Sequence, residues 1–228
     1  MSASDSYPVR GIDVSQYQGT PDWGTVRASG ISFAFARVAD GMSIDRTFDR
    51  NWQEIRKAGL VRGVYLFFRS GRDPVDQADL LLDHTGPFDS NDLPPVLDVE
   101  ANNGASPAEM VAGIRAFRDR ITERTGGLTT MIYAGPGFWS SSVRSAVFAD
   151  LPLWVAHYTT GAPLLPLGWM SWDFWQFSGS GRCPGVNGDV DLDVFRGSPD
   201  QLRAMTVGQQ DAVSGGPASP GWSPAPRG

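Results

Sequence analysis

Residues 95–127 have the sequence PVLDVEANNGASPAEMVAGIRAFRDRITERTGG, in which a strand-like run is followed by the clearest helix of the chain. Val96–Val99 is a short apolar run, typical of a buried strand. Ser106 and Glu109 form a Ser-x-x-Glu capping box at the start of the helix, and a Gly-Gly pair at 126–127 is expected to end it. The stretch therefore predicts one strand–helix unit, the building block of a parallel sheet covered by helices.

The same alternation extends over the first two thirds of the chain. Strand candidates lie at Val9–Val14, Ile31–Val38, Val61–Phe68 and Leu128–Tyr133, with helix candidates at Thr47–Ala58 and Val75–Leu82. Three more strand candidates then follow without long helices, at Leu151–Tyr158, Trp169–Phe177 and Val190–Phe195. The pattern predicts an α/β fold, a barrel of roughly eight strands whose last third lacks helices. A doubly wound open sheet is the alternative.

Length and composition suggest where the domain begins and ends. The chain has 228 residues, of which 41% are hydrophobic, and a barrel uses about 200 residues or more as one unit. We expect the domain to span residues 7–207, after a flexible N-terminus at residues 1–6. Residues 208–228 are rich in Gly, Pro and Ser around Trp222, a composition typical of a tail or linker.

Charge and composition disfavour several classes of partner and site. The formal net charge of −6 makes nucleic acid an unfavourable partner, because its phosphates would be repelled. No stretch approaches the ~20 apolar residues of a membrane span, and the N-terminus lacks the basic and apolar regions of a standard secretory signal. A single cysteine, Cys183, cannot form an intramolecular disulfide, and two histidines cannot supply a three-histidine zinc site. We expect a monomer with no metal and no cofactor.

Four acidic residues stand on predicted strand ends. Asp98 and Glu100 lie two residues apart at the end of one strand, so their side chains point to the same face, about 6.5–7 Å apart along the chain. Asp13 ends the first strand and Asp191 lies in the last, and these two strands become neighbours when a barrel closes. Such acids can be helix caps or salt-bridge partners. As a cluster they favour glycoside hydrolysis, which needs one carboxyl of raised pKa to protonate the leaving oxygen.

Short motifs in a fixed order give about 200 residues of the chain a family resemblance. The motifs are DVSQYQG at 13–19, FAFAR at 33–37, GVY at 63–65, LDVE at 97–100, IY at 132–133, LWVAHY at 153–158, WQF at 175–177 and VDLD at 190–193. No single motif is unique, but the ordered set resembles glycoside hydrolase family 25, the Chalaropsis-type lysozymes.

The resemblance implies a fold and an activity. The fold is an irregular barrel of TIM type, with five βα units followed by three strands that lack full helices. The activity is that of an N-acetylmuramidase, which cuts between N-acetylmuramic acid and N-acetylglucosamine in the peptidoglycan glycan strand of the bacterial cell wall, with retention of configuration.

The resemblance also implies roles for individual residues. Glu100 matches the acid/base, and Asp98 matches its partner, which orients the substrate N-acetyl group or stabilises an oxazolinium-like intermediate. Asp13 and Asp191 match the other acids of the cleft. The positions expected to line the sugar groove are Tyr65, Tyr133, Trp154 and Trp175. For Arg37 two roles stay open, substrate binding or pairing with a cleft acid.

The chain departs from the family pattern at two places expected near the groove. It has Asp40-Gly41 where the family often has Glu-Gly, and Tyr65-Leu66 where the family commonly has Tyr-His. Two other functions remain as alternatives: a chitinase-like hydrolase, and a non-catalytic wall-binding module on the same fold. The setting is also open between a phage lysin, a piece of a larger lytic protein and a secreted enzyme.

Overall fold

The computed structural model describes residues 2–208, and their nine strands form one sheet. The strands are β1 Val9–Val14, β2 Ile31–Asp40, β3 Ser43–Ile44, β4 Val61–Phe67, β5 Val96–Asp98, β6 Met131–Ala134, β7 Leu153–Ala156, β8 Phe174–Gly181 and β9 Val190–Phe195. All except the two-residue β3 close into a barrel, because β1 pairs with both β2 and β9. The predicted barrel is therefore confirmed, and the open sheet is excluded.

Five strand–helix units come first, as expected. Their helices are α1 Trp23–Ala28, α2 Phe48–Lys57, α3 Pro74–Thr85, α4 Pro107–Thr125 and α5 Pro136–Phe138, the last continued by a turn of π-helix at Trp139–Val143. In the described residues no helix follows β7 or β8, and α6 Pro199–Ala204 follows β9. None of the helices in residues 2–208 is long and apolar enough to span a membrane.

The last strand departs from the parallel arrangement that strand–helix alternation predicts. Strands β1, β2 and β4 to β8 run parallel around the barrel, whereas β9 pairs antiparallel with both β8 and β1. Residues 182–189 are the whole connection between β8 and β9, and a parallel crossover needs about a dozen residues or more. The short connection therefore forces an antiparallel return, and the barrel is mixed.

Aromatic rings fill the inside of the barrel. Phe33, Phe35 and Phe174 pack edge to face, with ring centroids 5.1 to 5.9 Å apart. Two strand glycines make room for them: a Cβ on Gly11 would lie 2.2 Å from Phe33, and a Cβ on Gly63 would lie 2.1 Å from Phe35. The opposite faces of the strands form a second apolar layer with the surrounding helices.

Helix α4 has the predicted bounds and the predicted cap. The Ser106 N–H donates to the Glu109 carboxylate at 2.8 Å, and the Glu109 N–H donates to the Ser106 hydroxyl at 3.4 Å. Ile114, Phe117 and Ile121 on its inner face are fully buried. The helix therefore anchors the chain that follows β5 and carries Glu100.

The first residues are more ordered than their composition suggests. Residues 1–6 are predicted to be flexible, yet Ala3–Ser6 forms a 3-10 helix with Ser4 buried. The reason is a contact that sequence does not reveal, a hydrogen bond of 2.8 Å from the Ala3 N–H to the Thr160 carbonyl. The predicted tail lies outside the described residues from residue 209 onward, Trp222 included.

Candidate active site

The carboxyl ends of the parallel strands surround a cleft of about 210 Å³. Its lining residues are Asp13, Ser15, Tyr17, Gln18, Arg37, Tyr65, Phe67, Asp98, Glu100, Tyr133, Trp154, Tyr158, Gln176 and Asp191. All four acids selected from the sequence therefore meet in one cleft. Asp191 reaches it because β9 is antiparallel, so that the start of β9 lies beside the end of β1 and Asp191 pairs with Asp13.

Asp98, the last residue of β5, and Glu100, two residues beyond it, line the same cleft but differ in exposure. Asp98 is only 3% exposed, and its Oδ1 atom has no hydrogen-bond partner among the described residues. Glu100 lies at the mouth of the cleft and is exposed to solvent. Val99 between them is buried in the apolar layer outside the barrel. The end of β5 and the residues just after it thus present one buried carboxyl and one accessible carboxyl to the same cleft.

Both carboxyls bind protons more tightly than ordinary acids. Burial raises the pKa of Asp98 well above its usual value, and the neighbouring charge of Glu100 adds to the effect. Partial desolvation raises the pKa of Glu100, and the charge of Asp191 raises it further. The positive charges of Arg37 and Arg69 oppose both shifts. The pair is therefore suited to hold a proton near the mouth of the cleft.

A fifth acid, Asp193, was not selected from the sequence. It is 1% exposed, and one carboxylate oxygen accepts the indole N–H of Trp154 at 2.8 Å. Burial raises its pKa well above the usual value, and its charge is the second cause, after burial, of the strongly raised pKa of Asp13. The signal was present, since Asp193 lies two residues after Asp191. Among the described residues, no group of three or more His, Cys, Asp or Glu side chains could hold a metal ion.

Gln176 connects three sides of the cleft and was likewise missed. Its Nε2 donates to Asp13 at 2.7 Å, and its Oε1 accepts the hydroxyls of Tyr133 at 2.8 Å and Tyr158 at 2.9 Å. Gln176 occupies the inward position that sequence analysis gave to Trp175. Trp175 is fully buried on the outer face of β8, where its indole N–H donates to the His157 carbonyl at 2.8 Å. Strand alternation makes only one of the two residues face the cleft.

The other three predicted aromatic residues do line the cleft, as its floor. Trp154 is 1% exposed and stacks on Phe35 with a centroid distance of 4.2 Å. Tyr65 and Tyr133 pack edge to face against Trp154. All three are buried, so they shape the bottom of the cleft rather than present open faces to solvent.

Arg37 lines the cleft and forms an ion pair, though with an acid outside the predicted set. Its Nη2 lies 3.2 Å from Oδ2 of Asp45, and its guanidinium carbon lies 5.3 Å from the ring centroid of Tyr17. Asp45 is almost fully buried and also accepts the Gln16 N–H at 2.8 Å. These contacts hold Arg37 at the edge of the cleft.

The two departures from the family pattern lie in different places. Asp40 pairs with Arg69, whose Nη2 donates to it at 2.7 Å, and both residues line a groove next to the cleft. Leu66 is fully buried in the apolar layer outside the barrel, because its neighbour Tyr65 takes the inward position. The expectation that this second departure lies near the groove is wrong, since strand alternation turns Leu66 away.

The sequence that forms this barrel and cleft matches a known enzyme family. Residues 12–186 match the family Glycosyl hydrolases family 25. The chain belongs to glycosyl hydrolase family 25. Similar family 25 relatives include Lysozyme M1 of Streptomyces globisporus, 36% identical over 214 residues that cover 89% of this chain and 72% of that protein. The N,O-diacetylmuramidase of Chalaropsis sp is 31% identical over 216 residues, which cover 88% of this chain and 100% of that protein.

Solved structures agree with the family 25 assignment. A bacterial lysozyme from Streptomyces coelicolor superposes with a TM-score of 0.85 and 35% identity, covering 90% of this chain and 100% of that one. A muramidase from Trichobolus zukalii gives a TM-score of 0.80 and 32% identity, covering 88% and 99%. The resemblance stated from the motifs is confirmed, and so is the irregular barrel that it implies.

Proposed function

We propose that this family 25 chain is an N-acetylmuramidase. It hydrolyses the β-1,4 bond between N-acetylmuramic acid and N-acetylglucosamine in bacterial peptidoglycan. The observation that carries the proposal is the pair at the end of β5, a buried Asp98 with an unpaired oxygen and, two residues later, an accessible Glu100 of raised pKa. The printed names of relatives, lysozyme and muramidase, support the same activity.

Glu100 is the acid/base of the proposed reaction. It donates its proton to the glycosidic oxygen as the bond from that oxygen to the sugar carbon breaks. The substrate's own acetamido oxygen attacks the same carbon and forms an oxazolinium-like intermediate. Water then opens this ring while Glu100 takes back a proton, and two inversions at one carbon give retention.

Asp98 assists the acetamido group and does not attack the sugar. A carboxylate nucleophile acts on the sugar face opposite the acid, whereas Asp98 and Glu100 come from the end of one strand and line the cleft two residues apart. The free Oδ1 of Asp98 can accept the acetamido N–H. That hydrogen bond favours the ionised form of Asp98 and so leaves the proton of the pair on Glu100. Asp13, Asp191 and Arg37 complete the charged wall around the sugar.

The setting follows from the substrate. We propose that the chain works as a monomer on the cell wall, with residues 7–207 as the catalytic domain. Residues 208–228 would serve as the linker or tail that their composition suggests.

A digest of purified peptidoglycan tests the proposal. After borohydride reduction, mass spectrometry of the products shows which sugar carries each new reducing end. We expect N-acetylmuramic acid at these ends and little product from chitin. Equal or faster release from chitin would favour the chitinase-like alternative. Binding to walls without any release of glycan would favour the wall-binding module and contradict the proposed reaction.

A further inference from the structure

A groove of about 730 Å³ lies beside the cleft and differs from it in charge. It is formed by the turn that joins β2 to β3 and by the loops after β4 and β5, and none of its lining residues lines the cleft. Four acids and one arginine line the cleft, whereas two arginines and one acid, Arg69, Arg72 and Asp40, line the groove. Phe67 separates the two spaces: it lines the cleft, and the guanidinium carbon of Arg69 lies 4.3 Å from its ring centroid. The groove is therefore a positively charged space close to the acids.

Arg72 supplies the unpaired charge of the groove. The guanidinium of Arg69 is neutralised by Asp40, to which its Nη2 donates at 2.7 Å. Arg72 is exposed, and within residues 2–208 its guanidinium has no acidic partner. Its neighbour Asp73 caps α3 instead, where it accepts the Val75 N–H at 2.8 Å. In a chain of formal net charge −6, a cation without an acid is open to an anionic ligand.

A buried amide holds the loop that carries both arginines. Gln77 of α3 is fully buried, and its Oε1 accepts the Arg69 N–H at 2.9 Å. Its Nε2 donates to the carbonyls of Arg69 at 3.1 Å and Arg72 at 3.3 Å. The Arg72 N–H donates in turn to the Arg69 carbonyl at 2.9 Å. The backbone of Arg72 is therefore fixed before a ligand binds, which lowers the entropy cost of binding.

The substrate connects this groove to the reacting sugar. N-acetylmuramic acid carries its stem peptide on O3, the ring position next to the acetamido group. A sugar whose acetamido group contacts Asp98 therefore extends its peptide from that end of the ring. Asp98 pairs with Phe67 in the sheet, and the groove begins on the other side of the Phe67 ring. A lactyl group and two amino acids span up to about 10 Å when extended, enough to cross the width of one aromatic ring.

We propose that the groove binds the stem peptide of the N-acetylmuramic acid held in the cleft, and that Arg72 pairs with a carboxylate of its glutamate residue. A guanidinium suits a carboxylate, because its N–H donors match the two oxygens. A phosphate-bearing polymer attached through O6 would leave from the opposite end of the ring, so the position of the groove favours the peptide. The inference rests on the proposed function, because it places N-acetylmuramic acid against Asp98.

Two substrates that differ only in charge test the site. Both are tetrasaccharides of two disaccharide repeats whose muramic acids carry an L-alanyl-D-glutamate dipeptide, and in the second substrate both glutamate carboxyls are amides. The wild type should cleave the charged substrate with the higher kcat/KM. Arg72→Gln should lower kcat/KM on the charged substrate by about threefold to fivefold, the scale of one exposed ion pair. On the amidated substrate it should stay within about 1.5-fold of the wild type.

Two further variants separate the local charge from net charge and from structure. Arg72→Lys keeps the positive charge and should retain most of the preference for the charged substrate. Arg115→Gln is the matched control, because Arg115 is an exposed arginine of α4 that lines neither the cleft nor the groove. Both glutamine variants remove one exposed positive charge, so an effect of net charge alone would appear in both. The melting temperatures of all three variants should match the wild type.

Each outcome is decisive. Equal losses on both substrates in Arg72→Gln, or no loss on either, would overturn the peptide site while leaving the proposed function intact. A loss seen only on walls that bear a phosphate-containing polymer would assign the groove to a different anion and would also overturn it. A wild-type enzyme that cleaves neither tetrasaccharide would instead contradict the proposed function, and this inference with it.

Discussion

Asp98 and Glu100 show how two positions at the end of one strand place the same chemical group in two environments. Both project into the cleft, but Asp98 lies at its buried base and Glu100 at its open mouth. Desolvation acts more strongly on the buried carboxyl, whose pKa is raised further. Placing two carboxyls in different environments is how many enzymes divide acid and assisting roles between them. Here the division follows from a two-residue spacing.

Replacing Glu100 tests the assigned proton donor. Glu100→Gln should lower the rate of wall lysis by about 10²–10⁴, the usual contribution of general acid catalysis. The melting temperature should stay close to that of the wild type, because the side chain is exposed. Glu123→Gln on α4, where the glutamate side chain is 71% exposed, is the matched control and should keep full activity. Retention of more than about a tenth of the activity would contradict the assignment.

The pH profile tests the influence of Asp191 on Glu100. After burial, the charge of Asp191 is the largest cause of the raised pKa of Glu100. Asp191→Asn removes a negative charge, which makes ionised Glu100 easier to form and lowers its pKa. The basic limb of kcat/KM should therefore move to lower pH, whatever the change in maximal rate. Asp200→Asn on α6 should leave the limb in place, whereas a shift to higher pH in Asp191→Asn would refute the coupling.

At the scale of elements, helix bounds could be predicted from the sequence, but the side of a strand on which a residue lies could not. The bounds of α4 follow from its capping box and its final glycines, which are all short-range features. In β8, by contrast, both faces of the strand are buried, since neither Trp175 nor Gln176 is exposed to solvent. An alternation of apolar and polar residues therefore does not tell which of the two faces the cleft. The strand also begins at Phe174 and not at Trp169, because the backbone N–H of Trp169 closes a turn by donating to the Pro166 carbonyl.

The close contact between Gly63 of β4 and the Phe35 ring predicts that a larger residue at position 63 destabilises the fold. Gly63→Ala would place a Cβ 2.1 Å from that ring, which has little room to move between Phe33, Phe174 and Trp154. Overpacking of this kind typically costs about 1–3 kcal/mol of unfolding free energy. Gly71→Ala is the control, because no atom lies within 4 Å of the added Cβ. Urea unfolding should show a lower unfolding free energy for Gly63→Ala and an unchanged one for Gly71→Ala. Equal unfolding midpoints in the two variants would mean that the Phe35 ring is displaced at little cost.

At the scale of the whole molecule, barrel closure assembles the acid cluster. Asp13, Asp98 and Asp191 come from β1, β5 and β9, and only closure through an antiparallel β9 brings the start of that strand to the end of β1. The sequence was enough to select these acids, because motif order and strand-end position point to them. It could not give their burial or the network through Gln176, since both depend on side chains far apart in the chain.

The buried cluster should make the domain less stable at neutral pH than it could be. Burial raises the pKa of Asp193 well above 3.8, so the folded state binds this proton more tightly than the unfolded state does. The bound proton on Asp193 stabilises the fold fully at a pH below the pKa of this residue in the unfolded chain. This stabilisation is lost as the pH rises through the pKa of Asp193 in the folded protein.

Asp193→Asn should therefore raise the melting temperature at pH 7, with a smaller gain at pH 4. The amide oxygen can still accept the Trp154 indole N–H, so the floor of the cleft keeps its hydrogen bond. Asp200→Asn, at an exposed position of α6, should change the melting temperature little at either pH. A gain that is equal at pH 4 and pH 7, or a loss at pH 7, would show that the Asp193 charge does not destabilise the fold.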